Sequence, residues 1–174
     1  MVKVCTLIRV RDQIAKNFHL LKGSFVVPKN SYESDLCKVI GWEVFDSRYY
    51  DALSKNQHVF IELKKGQGSM HFDMIRYSEI VLGFGMQNTV TVFFKWNKKK
   101  EQITEALVID TIKIIEFLGL DREKAKRCLA IHRNAVRGVN MLAAATITDL
   151  RKLADFRVCD IGRKRNRFIT LNML

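Results

Sequence analysis

The chain has little proline. Pro28 is the only one in 174 residues, and 48% of the residues are hydrophobic. Such a chain does not read as disordered, and its length suits one domain with its own core. It has no stretch of about 18 uncharged apolar residues, so no transmembrane helix is expected and any membrane contact would be peripheral. Met1 to Val10 is apolar but broken by Lys3 and Arg9, which does not fit a secretory signal. The four cysteines, Cys5, Cys37, Cys128 and Cys159, lie far apart with no C-x-x-C pair. They read as buried thiols in a reducing, intracellular compartment. His19, His58, His71 and His132 do not pair at metal-ligand spacing. A phosphate-binding G-x-x-x-x-G-K-[ST] loop is absent, and so is a G-x-S-x-G nucleophile turn. Gly83-Phe84-Gly85 lacks the third glycine of a dinucleotide fingerprint. No cofactor is expected from these patterns.

Positive charge is what the chain has in excess. The formal net charge is +12, and residues 88–174 carry 18 Lys+Arg against 9 Asp+Glu. Cations concentrated in one half favour an anionic partner. Asp121 to Arg137 predicts a helix capped by Asp121 and stopped by Gly138. At about 100° per residue, Arg122, Lys126, Arg133 and Arg137 fall within roughly 60° of one another. Lys124 and Arg127 are expected on the flank of this stripe. Ala125, Cys128, Leu129, Ile131, Ala135 and Val136 are expected on the buried side. Two more clusters could hold phosphates or lipid headgroups. One is Lys98-Lys99-Lys100, which follows Phe93, Phe94 and Trp96. The other is Arg163, Lys164, Arg165 and Arg167 around Asn166. Each also has a plainer reading, as a loop beside core aromatics or a solvated turn.

Propensity and periodicity place the elements. Strands are expected at Val2–Val10, Ser24–Val27, Val59–Leu63, Thr89–Trp96, Arg157–Ile161 and Arg167–Leu171. Helices are expected at Asp12–Lys22, after Ser31 to Gly41, after Ser47, at Gln102–Leu118, at Asp121–Arg137 and, with Thr148 as cap, within Met141–Phe156. Met70–Leu82 fits both periods. The result is an α+β chain in which N-terminal strands and short helices form a sheet, packed by C-terminal amphipathic helices.

One pattern looks enzymatic. Glu62 and Lys64 form Glu-x-Lys at the end of the apolar VFIEL run, with Asp46 and Asp51 upstream. An acid, a gap and Glu-x-Lys on a strand resembles the core of restriction-endonuclease-like nucleases. The resemblance implies that two carboxylates hold Mg²⁺ and that the lysine steadies the attacking water. The proline that usually precedes the first Asp is missing, and neither Asp46 nor Asp51 is clearly on a strand.

In size, charge and layout the chain also resembles the small basic matrix proteins of plant rhabdoviruses. The residues behind this are Arg122 to Arg137, the basic tail and Trp96 to Lys100. The resemblance implies a non-enzymatic virion protein in the host cytoplasm or nucleus and in the virion. Such a protein condenses nucleocapsid, self-associates and links ribonucleoprotein to an anionic membrane surface. Two departures stand against it: the chain opens on an expected strand where animal-virus relatives have a lysine-rich arm, and it has no proline-rich budding motif. On sequence alone the matrix-type reading comes first. The alternatives are a Mg²⁺-dependent nuclease and a sequence-tolerant RNA-binding protein, such as a silencing suppressor or a movement protein.

Overall fold

A computed structural model describes residues 1–21, 32–45, 47–54, 58–85, 89–99, 102–135 and 141–159. The fold is α+β. Helix α1 (Val4–Asn17) continues into a 3-10 turn (Phe18–Leu21), followed by α2 (Tyr32–Ile40). Strands β1 (Glu43–Val44), β2 (Ala52–Ser54), β3 (Val59–Gly66) and β4 (Ser69–Asp73) lead to α3 (Met74–Val81). Then come β5 (Thr89–Asn97), β6 (Gln102–Asp110), α4 (Thr111–Phe117) and α5 (Arg122–Asn134). Strand β7 (Leu142–Thr146), α6 (Ile147–Leu153) and β8 (Phe156–Cys159) complete the described elements.

Among the described residues, six strands form one sheet in the order β1-β2-β3-β5-β6-β8. Only β3 and β5 run parallel; every other neighbouring pair is antiparallel. A parallel pair needs a crossover, and α3 supplies it. Strand β4 leaves the main sheet and pairs with β7 instead. The turn out of β3 is tight at Gly66, where a Cβ would sit 2.5 Å from the Ser69 carbonyl oxygen.

Alternation along the strands divides the core in two. Ile61, Leu63, Val90, Val92 and Phe94 face α1 and α2. Phe93, Leu107 and Ile109 face the opposite side, with residues of α3, α4, α5 and α6. Phe93 and Phe94 are therefore both buried, one in each core. Fully burying a side chain of this size stabilises by about 1.5–3 kcal/mol.

Several elements differ from the sequence expectation. Val2–Val10 is not a strand: α1 runs through it and through the helix expected at Asp12–Lys22. Its buried Leu7, Val10 and Ile14, continued by Phe18, follow helical spacing, which outweighs the β-branched composition. Gln102–Leu118 is not one helix. Its first half is β6, buried on both faces so that strand alternation is lost, and only Thr111–Phe117 is helical. Asp110 makes the switch, its carboxylate accepting from Ile112 N at 3.2 Å and Val2 N at 2.8 Å. The helix expected within Met141–Phe156 forms as α6, between β7 and β8, but its cap is Thr146 and not the expected Thr148. Met70–Leu82 fits both periods because it is half strand and half helix, with Asp73 capping α3. The short helix expected to be capped by Ser47 does not form; Ala52–Ser54 is strand β2 instead. So helices do not simply follow strands; the C-terminal half also contributes β6 and β8 to the sheet. The strand expected at Ser24–Val27, the one at Arg167–Leu171 and the cap at Ser31 lie outside the described residues.

Candidate functional site

The Glu-x-Lys pattern lies on β3, on the face opposite Ile61 and Leu63. Lys64 and Lys65 do not end this strand, which continues to Gly66. Strand β2 runs beside it with Ala52 opposite Ile61. One residue further out, Asp51 donates its backbone N–H to the Ile61 carbonyl at 3.0 Å. That bond extends the ladder and sets Asp51 beside Glu62. The Asp51 Oδ2 then accepts the Leu63 N–H at 2.6 Å. Asp51 is thus fixed at the mouth of β2, a placement its sequence context did not reveal. On the other side, Glu62 is level with Thr91 of β5. Asp46, the second upstream acid, lies outside the described residues.

Glu62 is 3% exposed. Its two oxygens form ion pairs with Lys64 and with Arg76 of α3. Neither oxygen accepts a well-formed hydrogen bond. Arg76 also donates to the Tyr49 carbonyl at 2.6 Å. Its neighbour on α3, Glu79, accepts Arg48 Nε at 2.8 Å and Arg48 NH2 at 3.0 Å. The Arg48–Asp51 segment is therefore tied to α3 as well as to β3. Sequence reasoning did not single out Arg76, because it falls in the stretch whose period was ambiguous.

The electrostatics bring two more acids to this place, Glu33 and Asp73. Burial lowers the proton affinity of Lys64, while the charges of Asp51, Glu33 and Asp73 act in the opposite direction. Burial first, then Asp51 and Glu33, push the Cys37 thiol up to about 12. The Tyr32 hydroxyl is also raised, by burial and then by Glu33. Glu33, in the first turn of α2, thus shares a field with Asp51, and no spacing in the sequence marks it. Lys65, on the opposite face of β3 from Lys64, stacks over the rings of Tyr32 at 4.8 Å and Trp96 at 5.4 Å.

Other acids have structural tasks. Glu105 is held by Arg151 through bonds of 3.0 and 2.7 Å and pairs with Arg157. Asp155 accepts Asp110 N at 2.8 Å and Lys113 Nζ at 2.7 Å. Asp51 and Glu62 fit a hard divalent cation by donor type, both being carboxylates on a site partly open at Lys64. Among the described residues no three His, Cys, Asp or Glu side chains form a metal-holding group. A cation here would have two carboxylate ligands and complete its shell with water, which is how Mg²⁺ is commonly held.

The basic helix forms as α5, with Asp121 accepting Lys124 N at 2.7 Å. Arg122, Lys126, Arg127 and Arg133 are exposed. Lys126 pairs with Glu123 at 2.7 Å. Three expectations fail here: the place of Lys124, the burial of Ile131, and the run of the helix through Ala135 to Arg137. Lys124 folds back on the Leu118 carbonyl at 2.8 Å and does not flank the stripe. Ile131 is 53% exposed, because the helix buries only Ala125, Cys128 and Leu129. The helix ends at Asn134, with Ala135 in extended geometry. Arg137, Val136 and Gly138 lie outside the described residues. Lys98 and Lys99 are exposed in the turn after β5, whereas Phe93 and Phe94 are core and cannot stack bases. Lys100, Arg163, Lys164, Arg165 and Arg167 lie outside the described residues.

All four cysteines are free; Cys37 and Cys128 are buried as expected, but Cys5 is exposed and Cys159 only partly buried. Among the described residues no helix is long and apolar enough to cross a membrane. No protein-family model and no curated protein matches the chain.

Proposed function

We propose that the protein is a Mg²⁺-dependent nuclease whose site is Asp51, Glu62 and Lys64. Glu62 carries this reading. A carboxylate buried with two cations is expensive to desolvate, and an apolar residue there would pack without that penalty. Glu105 also sits between two cations, Arg151 and Arg157; what sets Glu62 apart is Asp51 at the neighbouring register position on β2's side. Two carboxylates gathered beside a largely buried lysine are a place where catalytic chemistry is sought.

In this reading Asp51 and Glu62 hold the Mg²⁺. The bound ion supplies a Lewis acid for the phosphodiester and makes its water a better nucleophile. Lys64 donates hydrogen bonds from its half-buried ammonium, steadying the attacking water against the phosphate. Lys98, Lys99 and the exposed cations of α5 hold the polyanion without reading its sequence.

Labelled single-stranded RNA and duplex DNA, incubated with the protein in Mg²⁺ or in EDTA, test the proposal. Cleavage should require Mg²⁺ and fall at least about a hundredfold in Glu62→Gln or Lys64→Ala. Intact nucleic acid, shifted equally with and without Mg²⁺, would refute it.

That second outcome would favour a non-enzymatic basic protein that binds ribonucleoprotein or RNA and an anionic membrane surface. This reading rests on the exposed row Arg122, Lys126 and Arg133. It comes second because it gives no role to the buried Glu62. Flotation with anionic liposomes separates its matrix-type form from RNA binding alone.

A further inference from the structure

We propose that Lys95, Arg151 and Arg157 form a binding site for a phosphate monoester, the terminal phosphate of a nucleic-acid strand. The site needs neither metal nor cleavage, so it stands apart from the proposed catalysis. It is built on a buried acid. Lys95 of β5 and Cys159 of β8 are level with Glu105 of β6, one on each side. Arg157 stands two residues before Cys159, so strand alternation puts it on the same face. That face also carries Phe93 and Leu107, and at this end of the sheet its apolar core gives way to charge. Arg151 reaches Glu105 from α6, its Nε and Nη2 donating at 3.0 and 2.7 Å. Arg157 ion-pairs with the same carboxylate, but its Nε makes no well-formed hydrogen bond.

The cations outnumber what Glu105 needs. Among the described residues, Lys95, Arg151 and Arg157 stand against one carboxylate, which leaves two positive charges unmatched. The other acids of this region are held elsewhere: Thr146 donates to Asp149 at 2.6 Å, and Lys113 to Asp155 at 2.7 Å. Glu101, Asp160 and the cations from Arg163 to Arg167 lie outside the described residues. Like charges gathered around one acid repel, and an anion relieves that repulsion. Exposure differs within the cluster. The Glu105 side chain is 3% exposed, whereas those of Arg151 and Arg157 are 34% and 32% exposed. An arriving anion therefore meets guanidinium N–H groups and not the carboxylate. A guanidinium has five N–H donors, so each arginine keeps donors beyond those that Glu105 takes. Arg151 is already held in its fork geometry, so little side-chain freedom is lost on binding. A phosphate monoester carries about −1.5 to −2 charges at neutral pH and three acceptor oxygens, which matches the unmatched charge. An internal phosphodiester carries a single charge and matches it less well. Lys98 and Lys99 are exposed in the turn that β5 enters beyond Lys95. They can hold the next phosphates of the strand, which favours a nucleic acid over a small phosphorylated molecule.

The test measures binding to the full chain by fluorescence anisotropy, in EDTA and at moderate salt. The probes are single-stranded oligonucleotides of one sequence, ending in hydroxyls only, in a 5′-phosphate or in a 3′-phosphate. One phosphorylated probe should bind at least about tenfold more tightly than the hydroxyl probe. Inorganic phosphate should remove that advantage, and chloride of equal ionic strength should not. The double variant Lys95→Gln, Arg157→Gln should abolish the advantage while weakening the hydroxyl probe by no more than about threefold, since other cations hold its phosphates. Equal affinities for all three probes would overturn the proposal, and so would an advantage that survives in the double variant. Equal losses with phosphorylated and hydroxyl probes would overturn it too, by assigning these cations to general polyanion binding. Displacement by inorganic phosphate without an end preference would overturn the nucleic-acid source and point to a small phosphorylated ligand. If circular dichroism shows the double variant unfolded, Lys95→Gln alone leaves both arginine pairs with Glu105 in place. It should cut the advantage by at least about threefold, and an undiminished advantage would refute the proposal.

Discussion

Replacing Glu62 with Gln should destabilise the metal-free protein, although the substitution removes a buried charge. The sign follows from the neighbours. In a site crowded with acids, neutralising one relieves repulsion. Here Glu62 faces Lys64 and Arg76, whose side chains are 26% and 16% exposed. Removing the shared acid leaves two poorly solvated cations with less to hold them. Breaking a buried ion pair from one side costs about 3–5 kcal/mol. Glutamine keeps the volume and a carbonyl acceptor, so the lower end, about 3 kcal/mol, is expected. In a chain of this size each kcal/mol moves the melting temperature by roughly 2–4 °C, giving a fall of about 6–12 °C. Thermal unfolding followed by circular dichroism in EDTA at neutral pH measures it. The double variant Glu62→Gln, Arg76→Gln should lose less than the sum of the single changes, with a coupling of about 1 kcal/mol or more. In excess Mg²⁺ the parent protein should gain stability by mass action and Glu62→Gln should not. A melting temperature that stays level or rises in Glu62→Gln, or strictly additive single changes, would refute this account of the charges.

Two further outcomes follow from other parts of the molecule. Burial alone would raise the Glu105 carboxyl, but the hydrogen bond from Arg151 and the charges of Arg157, Arg151 and Lys95 hold it below its ordinary 4.5. A depressed carboxylate stabilises fully above its unfolded pKa and loses that contribution as the pH falls through the folded value. Urea midpoints taken downward from neutral pH should therefore decline less steeply in Glu105→Gln, and an unchanged decline would count against the pairing. On α5, changing Arg122, Lys126 and Arg133 together to Gln should weaken nucleic-acid binding and lower its salt slope by about 1 for each phosphate that is no longer neutralised. The same number of changes at Lys3, Lys16 and Lys38 should do less, and equal losses would rule out the helix as the binding face.

The catalytic candidates were legible as a pattern but not as a site. Glu62 and Lys64 stand two apart on a strand that VFIEL announces, and period 2 places them on one face. Asp51 was visible only as an acid upstream. Its partnership with Glu62 comes from the antiparallel register of β2 and β3, which local sequence does not encode. Arg76 arrives from the crossover helix, and Glu33 acts through its field from α2; neither has a spacing that a linear reading can use. The basic stripe was readable because helical periodicity is local. Its flank was not, since Lys124 has a nearby carbonyl to bond and Ile131 has nothing packed over it.

By itself the sequence determined the α+β composition, the apolar strands β3 and β5, the cap at Asp121 and the concentration of positive charge in the second half. These rest on propensity, periodicity and counting, all of which act within a few residues. The tertiary structure alone decided that Val4–Asn17 is helical and that Gln102–Asp110 is a strand. In the first, burial of Leu7, Val10 and Ile14 against the sheet overrides β-branched preference. In the second, burial on both faces removes the alternation that marks a strand. It also decided where the charges meet. An ion pair such as Glu62 with Arg76 depends on strand order and on a helix crossing the sheet, and only the folded chain brings those together.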